Sequence, residues 1–139
     1  MHCWYQVFLL GLGLVVFSGC GNSGPSLTKV HGTVRYDGAP VTSGTVQFQG
    51  QPGQTPELLP GTGIINNDGT YTVTTAHGPG LASGKYLVAV VSMESGDLES
   101  PQPVVRWLVP ERYANPTTSG LTAEISSQST MPLNFDLAK

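Results

Sequence analysis

From Lys29 onward, apolar and polar positions alternate with a period of two, and runs of Gly, Pro, Asn and Asp interrupt the alternation at short intervals. Val30, Gly32, Val34 and Tyr36 fall on one face and His31, Thr33 and Arg35 on the other, the signature of a half-buried strand. Asp37-Gly38-Ala39-Pro40 supplies turn chemistry. Val46 and Phe48 alternate with Thr45, Gln47 and Gln49, and a Pro- and Gly-rich loop then runs from Gly50 to Gly61. Thr62 to Ile65 predicts a short strand, which Asn66-Asn67-Asp68-Gly69 turns into a hairpin with the strand carrying Tyr71 and Val73. Lys85 to Val91 is apolar on both faces and predicts a central strand covered on two sides. Val104 to Val109 is apolar with one charge and predicts a strand that Pro110 stops. On it Trp107 shares the charge-free face with Val105 and Val109, which predicts that its ring packs in the core; the alternative is an exposed anchor for a partner. Leu121, Ala123 and Ile125, then Leu133, Phe135 and Leu137, complete the series.

No stretch after residue 28 combines helical spacing with caps. Seven to eight short strands predict an all-β protein built as a single β-sandwich. Gly69-Thr70-Tyr71 and Gly84-Lys85-Tyr86 share one turn-to-strand entry, each tyrosine being the first inward residue after a glycine turn. The 18 glycines and 11 prolines stay below the share that marks disorder, roughly a quarter of a chain.

The beginning of the chain has a different pattern. Phe8 to Phe17 is an uninterrupted apolar run with small Ser18-Gly19 behind it, too short for a comfortable transmembrane helix of about 20 residues and suited to a cleaved signal peptide over 1–19. Phe17-Ser18-Gly19-Cys20 resembles the lipobox of bacterial lipoproteins. The resemblance implies a diacylglycerol on Cys20, removal of the peptide before it, and attachment to the cell envelope. Gly21 stands where some bacteria place an acidic retention signal, which points to an outer membrane. Gly21 to Thr28 lacks apolar periodicity and reads as a polar tether over 20–28 whose ends lie on the order of 16 Å apart. The domain is expected over 29–139.

Charge narrows the choice of partner. All six Lys and Arg and all nine Asp and Glu follow Cys20, giving a formal net charge of −3 with no basic run, so nucleic acid is excluded as an expected partner. Charged residues are 11% of the chain against about 25% in an average domain, leaving a surface of Thr, Ser, Gln, Asn and Gly. The two cysteines are Cys3, inside the signal, and Cys20, so no disulfide is expected. No metal or other cofactor is expected either. Asn66-Asn67-Asp68-Gly69 fails as a calcium loop, because Ile64 and Thr75 stand where an EF-hand needs acids. His31 and His77 have no His, Cys, Asp or Glu within four residues and read as solvated side chains. No Gly-x-Ser-x-Gly elbow marks a nucleophile. Ser92 to Gln102 reads as a loop in which Glu94, Asp97 and Glu99 concentrate acid, suited to plain solvation or to contact with a basic partner.

Val30-His31-Gly32-Thr33-Val34-Arg35-Tyr36-Asp37-Gly38-Ala39-Pro40-Val41, then Gly44 to Phe48, Asp68-Gly69-Thr70-Tyr71 and Gly84 to Val88, resemble the carboxypeptidase regulatory-like domain. Val109-Pro110-Glu111-Arg112-Tyr113, Thr118 to Thr122 and Asn134 to Leu137 are similar to a subgroup of small bacterial lipoproteins that carry this domain alone. The resemblance implies a transthyretin-like, immunoglobulin-like sandwich without catalysis: a lipid-anchored binding or structural module that meets an envelope protein or, as the alternative, a glycan. Transthyretin-related hydroxyisourate hydrolases offer an enzymatic precedent. They carry a Tyr-Arg-Gly-Ser terminus, whereas this sequence reads Phe135-Asp136-Leu137-Ala138-Lys139.

Overall fold

The structure, a computed structural model, describes residues 24–54, 58–96, 99–102, 104–128 and 132–139. The expected signal peptide, Cys20 and Asp97 lie outside the described residues. Within them the protein is all-β. In chain order the strands are β1 (Leu27–Thr28), β2 (His31–Tyr36), β3 (Ala39–Pro40), β4 (Thr45–Gly50), β5 (Gly61–Ile64), β6 (Thr70–Thr75), β7 (Gly78–Pro79), β8 (Leu81–Ala82), β9 (Gly84–Val91), β10 (Met93–Ser95), β11 (Val105–Trp107), β12 (Leu121–Ile125) and β13 (Phe135–Leu137). One turn of 3-10 helix, Glu111–Ala114, follows β11.

Seven of these strands form a continuous hydrogen-bonded path, β12-β9-β4-β5-β6-β2-β13, with β3 paired to β2 and β7 to β6. Every pairing along it is antiparallel except the last, where β13 runs parallel to β2. The sheet curls on itself. Phe48 on β4 and Phe135 on β13 are four steps apart along the path, yet their ring centroids lie 6.2 Å apart across the core. Phe48 also meets Tyr71 and Tyr86, both at 6.3 Å, so the interior centres on four aromatic rings held by four different strands.

The alternation explains why these side chains turn inward. Val34, Val46, Phe48, Tyr71, Val73, Tyr86, Val88 and Val90 are buried, while their polar neighbours Thr72, Thr74, Gln47 and Gln49 are exposed. Both tyrosines after glycine turns are inward, as expected, and each hydroxyl donates to a carbonyl: Tyr71 to Leu133 at 2.6 Å and Tyr86 to Ala82 at 2.9 Å. Burial thus leaves neither phenol unpaired. Central β9 pairs on both sides, and on its second face Ala89 is fully buried. The 3-10 turn lies against β9 and brings Tyr113 to the end of β13, where its hydroxyl bonds Ala138.

The polar stretch read as a tether is docked at its end. Leu27 and Thr28 pair with Ala82 and Leu81 as the β1–β8 ribbon, beside the start of β9. That pairing needs little apolar character, which is why the pattern gives no sign of it.

Candidate functional site

The second two-stranded ribbon, β10–β11, is separate from the main sheet and grows from the far end of β9. Its root is firmly held. Ser92, fully buried directly after β9, donates its hydroxyl to the carbonyl of Ser43 at 2.7 Å, and Leu108 N–H bonds the Ser92 carbonyl at 3.0 Å. Gly44 allows this close approach: with φ of +119° it lies where a Cβ would collide with the backbone of Val91.

Met93 lies opposite Trp107, Glu94 opposite Arg106 and Ser95 opposite Val105. Alternation places Met93, Ser95, Val105 and Trp107 on one face, with Glu94 and Arg106 on the other. Glu94 and Leu108 line a shallow depression of about 170 Å³ with Tyr36, Pro40 and Val41, so the Glu94 face lies toward the body of the domain. The apolar face points away from it. On this apolar face Met93 is 45% exposed and Val105 50%.

These positions correct two expectations. Trp107 is not a core residue. It is half-buried and lies outside the core cluster and the residues packed against that cluster. The expected face Val105–Trp107–Val109 does not exist, because the strand ends at Trp107 and the chain bends through Leu108 and Val109. Val109 alone enters the core, at 2% exposure. The acidic segment is also not simply a loop. Glu94 belongs to β10, and Glu99 is exposed in the turn region beyond it. Glu94 and Trp107 therefore share one ribbon, on opposite faces. The pattern of the sequence does not single out exposed Met93; only its position opposite Trp107 in a short hairpin reveals it.

Other groups have structural employment. Ser92 and Ser119 are the buried polar residues among those described, and Ser119 donates to the carbonyl of Val88. In the hairpin turn, Asp68 accepts hydrogen bonds from the Thr70 hydroxyl at 2.6 Å and the Thr70 amide at 3.0 Å. Those bonds hold its carboxyl below the usual carboxylate range. His31 and His77 are exposed, and no three His, Cys, Asp or Glu side chains come together to hold a metal ion among the described residues. A mainly apolar depression of about 330 Å³ is lined by Phe48, Leu58, Pro60 and Pro116 with Gln47 and Gln49, without an ionisable group. A wider one of about 550 Å³ holds His31, Arg35 and Thr72 on the outer face of β2 and β6.

No protein-family model matches the chain, and no curated protein matches it in sequence. Among solved structures, a 9R-lipoxygenase from Cyanothece PCC8801 aligns with 81% of this chain at 16% identity and a TM-score of 0.39. The chain spans 16% of that enzyme's length, and a likeness of this degree carries no argument about fold or chemistry.

Proposed function

We propose that this chain is a lipid-anchored, non-catalytic binding module of the bacterial cell envelope, a transthyretin-like sandwich that meets a protein partner through the β10–β11 ribbon. One observation carries the reading: on a surface dominated by Thr, Ser, Gln and Asn, an apolar face of Met93, Val105 and Trp107 projects from the domain on a firmly rooted hairpin. Such a face is costly to leave in water and is characteristic of interaction sites. The Phe48–Phe135 contact between distant strands supports a sandwich, since it brings two halves of the curled sheet face to face.

A protein partner suits the aromatic inventory better than a glycan. Of the seven aromatics among the described residues, Phe48, Tyr71, Tyr86, Tyr113 and Phe135 are buried, leaving Tyr36 and Trp107 partly exposed and no flat stacking platform. Ser92 and Ser119, the buried serines among the described residues, direct their hydroxyls to backbone carbonyls and serve the fold. The anchor rests on the sequence around Cys20, where each buried methylene of the lipid would contribute about 0.8 kcal/mol to membrane attachment.

Two arms test the proposal. Cys20→Ala should release the protein from salt-washed membranes. A photo-crosslinking residue at Val105, in intact cells, should yield a discrete protein adduct that the same residue at Thr74, on the exposed face of β6, does not. Persistence of Cys20→Ala in membranes refutes the anchor, and equal labelling from both positions refutes the ribbon as the contact surface.

A further inference from the structure

Backbone geometry shows how the ribbon can be read by a partner. Gly96 N–H bonds Val104 C=O at 2.8 Å, and Leu108 N–H bonds Ser92 C=O at 3.0 Å. These bonds lie two residues to either side of the Glu94–Arg106 pair, so Glu94 and Arg106 form the hydrogen-bonded pair between them. The N–H and C=O groups of Val105 and Trp107 therefore point out of the ribbon. That edge pairs with no other strand among the described residues.

We propose that the outer edge of β11 takes up an extended strand from a protein partner, with an acidic residue opposite Arg106 and apolar residues on either side of it. This rests on the ribbon being the contact surface and specifies its mode of recognition. A third strand would satisfy the outward groups of Val105 and Trp107 and turn a marginal two-stranded ribbon into a three-stranded sheet. Its flanking residues would extend the Val105–Trp107 face. Arg106 would occupy the non-hydrogen-bonded position of the new pair, where Cα atoms lie about 4.5 Å apart and side chains approach closest. Arg106 is exposed, and the ion pair recorded among the described residues, Lys139–Asp37, leaves its guanidinium free to take up a carboxylate.

The same charge argues against a second copy. Antiparallel self-pairing centred on Arg106 places two guanidinium groups directly opposite each other, a destabilising arrangement. A lipid surface is disfavoured by position. The β1–β8 ribbon, where the chain enters from the tether, adjoins the start of β9, and β10–β11 leaves its other end about 23 Å away at the usual rise per residue. Exposed Glu94 on the opposite face of the ribbon and exposed Glu99 in the turn beyond it would be repelled by anionic lipid.

The test uses the full-length chain in detergent with Trp4→Phe, so that Trp107 is the only fluorophore of its kind. The probes are blocked peptides Thr-Thr-Val-Glu-Val-Thr-Thr and its Lys-centred counterpart, followed by Trp107 emission. The Glu peptide should bind saturably and about tenfold more tightly than the Lys peptide. Arg106→Glu should reverse that order. Val105→Pro, which removes an outward N–H, should weaken the Glu peptide about tenfold. Methylating the backbone nitrogens of the peptide makes the same test without altering the protein. Equal binding of both peptides, or of neither, overturns strand addition, and so does a dimer disrupted by Val105→Pro. If no peptide binds but the cellular adduct from Val105 persists and is lost with Trp107→Ala, the ribbon remains the contact surface and only the mode fails. If the adduct is indifferent to Trp107→Ala, the contact surface itself is wrong.

Discussion

Tyr71→Phe removes one oxygen from the centre of the domain and should produce a stability difference that changes sign with pH. Tyr71 is 1% exposed, and its ring stacks on Phe135 with centroids 6.3 Å apart. Its hydroxyl donates to the carbonyl of Leu133 at 2.6 Å. The N–H of Leu133 in turn bonds His31, so this phenol helps fix the approach to β13. Losing the bond should cost about 1 kcal/mol at pH 7, and up to about 3 kcal/mol if the Leu133 carbonyl stays unpaired. Burial also pushes the Tyr71 hydroxyl well above its ordinary value near 10. Above that value the unfolded chain releases the proton while the folded chain keeps it. The folded state then binds more protons, so wild-type stability falls as pH rises, by up to about 1.4 kcal/mol per unit for this group. The phenylalanine variant lacks this site, and Tyr86 is common to both proteins. A gap of about 1 kcal/mol should therefore close near pH 11 and reverse beyond it. Urea unfolding followed by circular dichroism at pH 7 and in steps to pH 11.5 measures this directly. Equal stabilities at pH 7, or a gap that stays constant as pH rises, would refute the reasoning.

Further substitutions probe other parts of the fold. Gly32→Ala places a Cβ against the backbone of Leu133, which has no side-chain freedom with which to yield, and should lower unfolding stability by about 1 to 3 kcal/mol. Phe48→Ala should cost about 3 to 5 kcal/mol and Trp107→Ala under about 0.5 kcal/mol, because the first side chain is in the core and the second lies outside it; similar losses in denaturant titrations would contradict these placements. Arg112 donates to the carbonyls of Ala138 at 2.7 Å and Lys139 at 3.0 Å and to the hydroxyl of Tyr113 at 3.0 Å. Arg112→Ala should speed amide exchange in β13 and raise the titration of Tyr113, which the Arg112 hydrogen bond holds below its usual range; an unchanged phenol titration by ultraviolet absorbance would count against that bond.

Most of the sheet is legible in the sequence because its strands bury one face only. Val34, Phe48, Tyr71, Val73 and Tyr86 all lie where alternation puts them, and doubly apolar β9 is the strand covered on both sides. Alternation fails where the chain leaves the sheet. The β1–β8, β3 and β7 pairings involve two residues each and follow from neighbouring turns. The parity of Trp107 relative to Val109 is broken by the bend at Leu108, a change of direction that Val104 to Val109 does not signal. Periodicity shows which residues of a strand share a face. It cannot show whether that face meets the core, and for β11 it does not. The candidate site was therefore visible as separate pieces, Glu94 and Glu99 in one segment and Trp107 in the next, without the hairpin that joins them.

The central claim is that the apolar face of β10–β11 is presented to solvent and available to a partner. Iodide quenching of Trp107 in the Trp4→Phe chain tests it most directly, with the fully buried core as the standard for shielding. Emission should lie to the red of a core indole and quenching should be substantial, reduced when the Glu-centred peptide is bound and restored when Arg106→Glu or Val105→Pro weakens that binding. Blue-shifted emission that iodide does not reach would place the indole inside the domain and leave the ribbon with no face to offer.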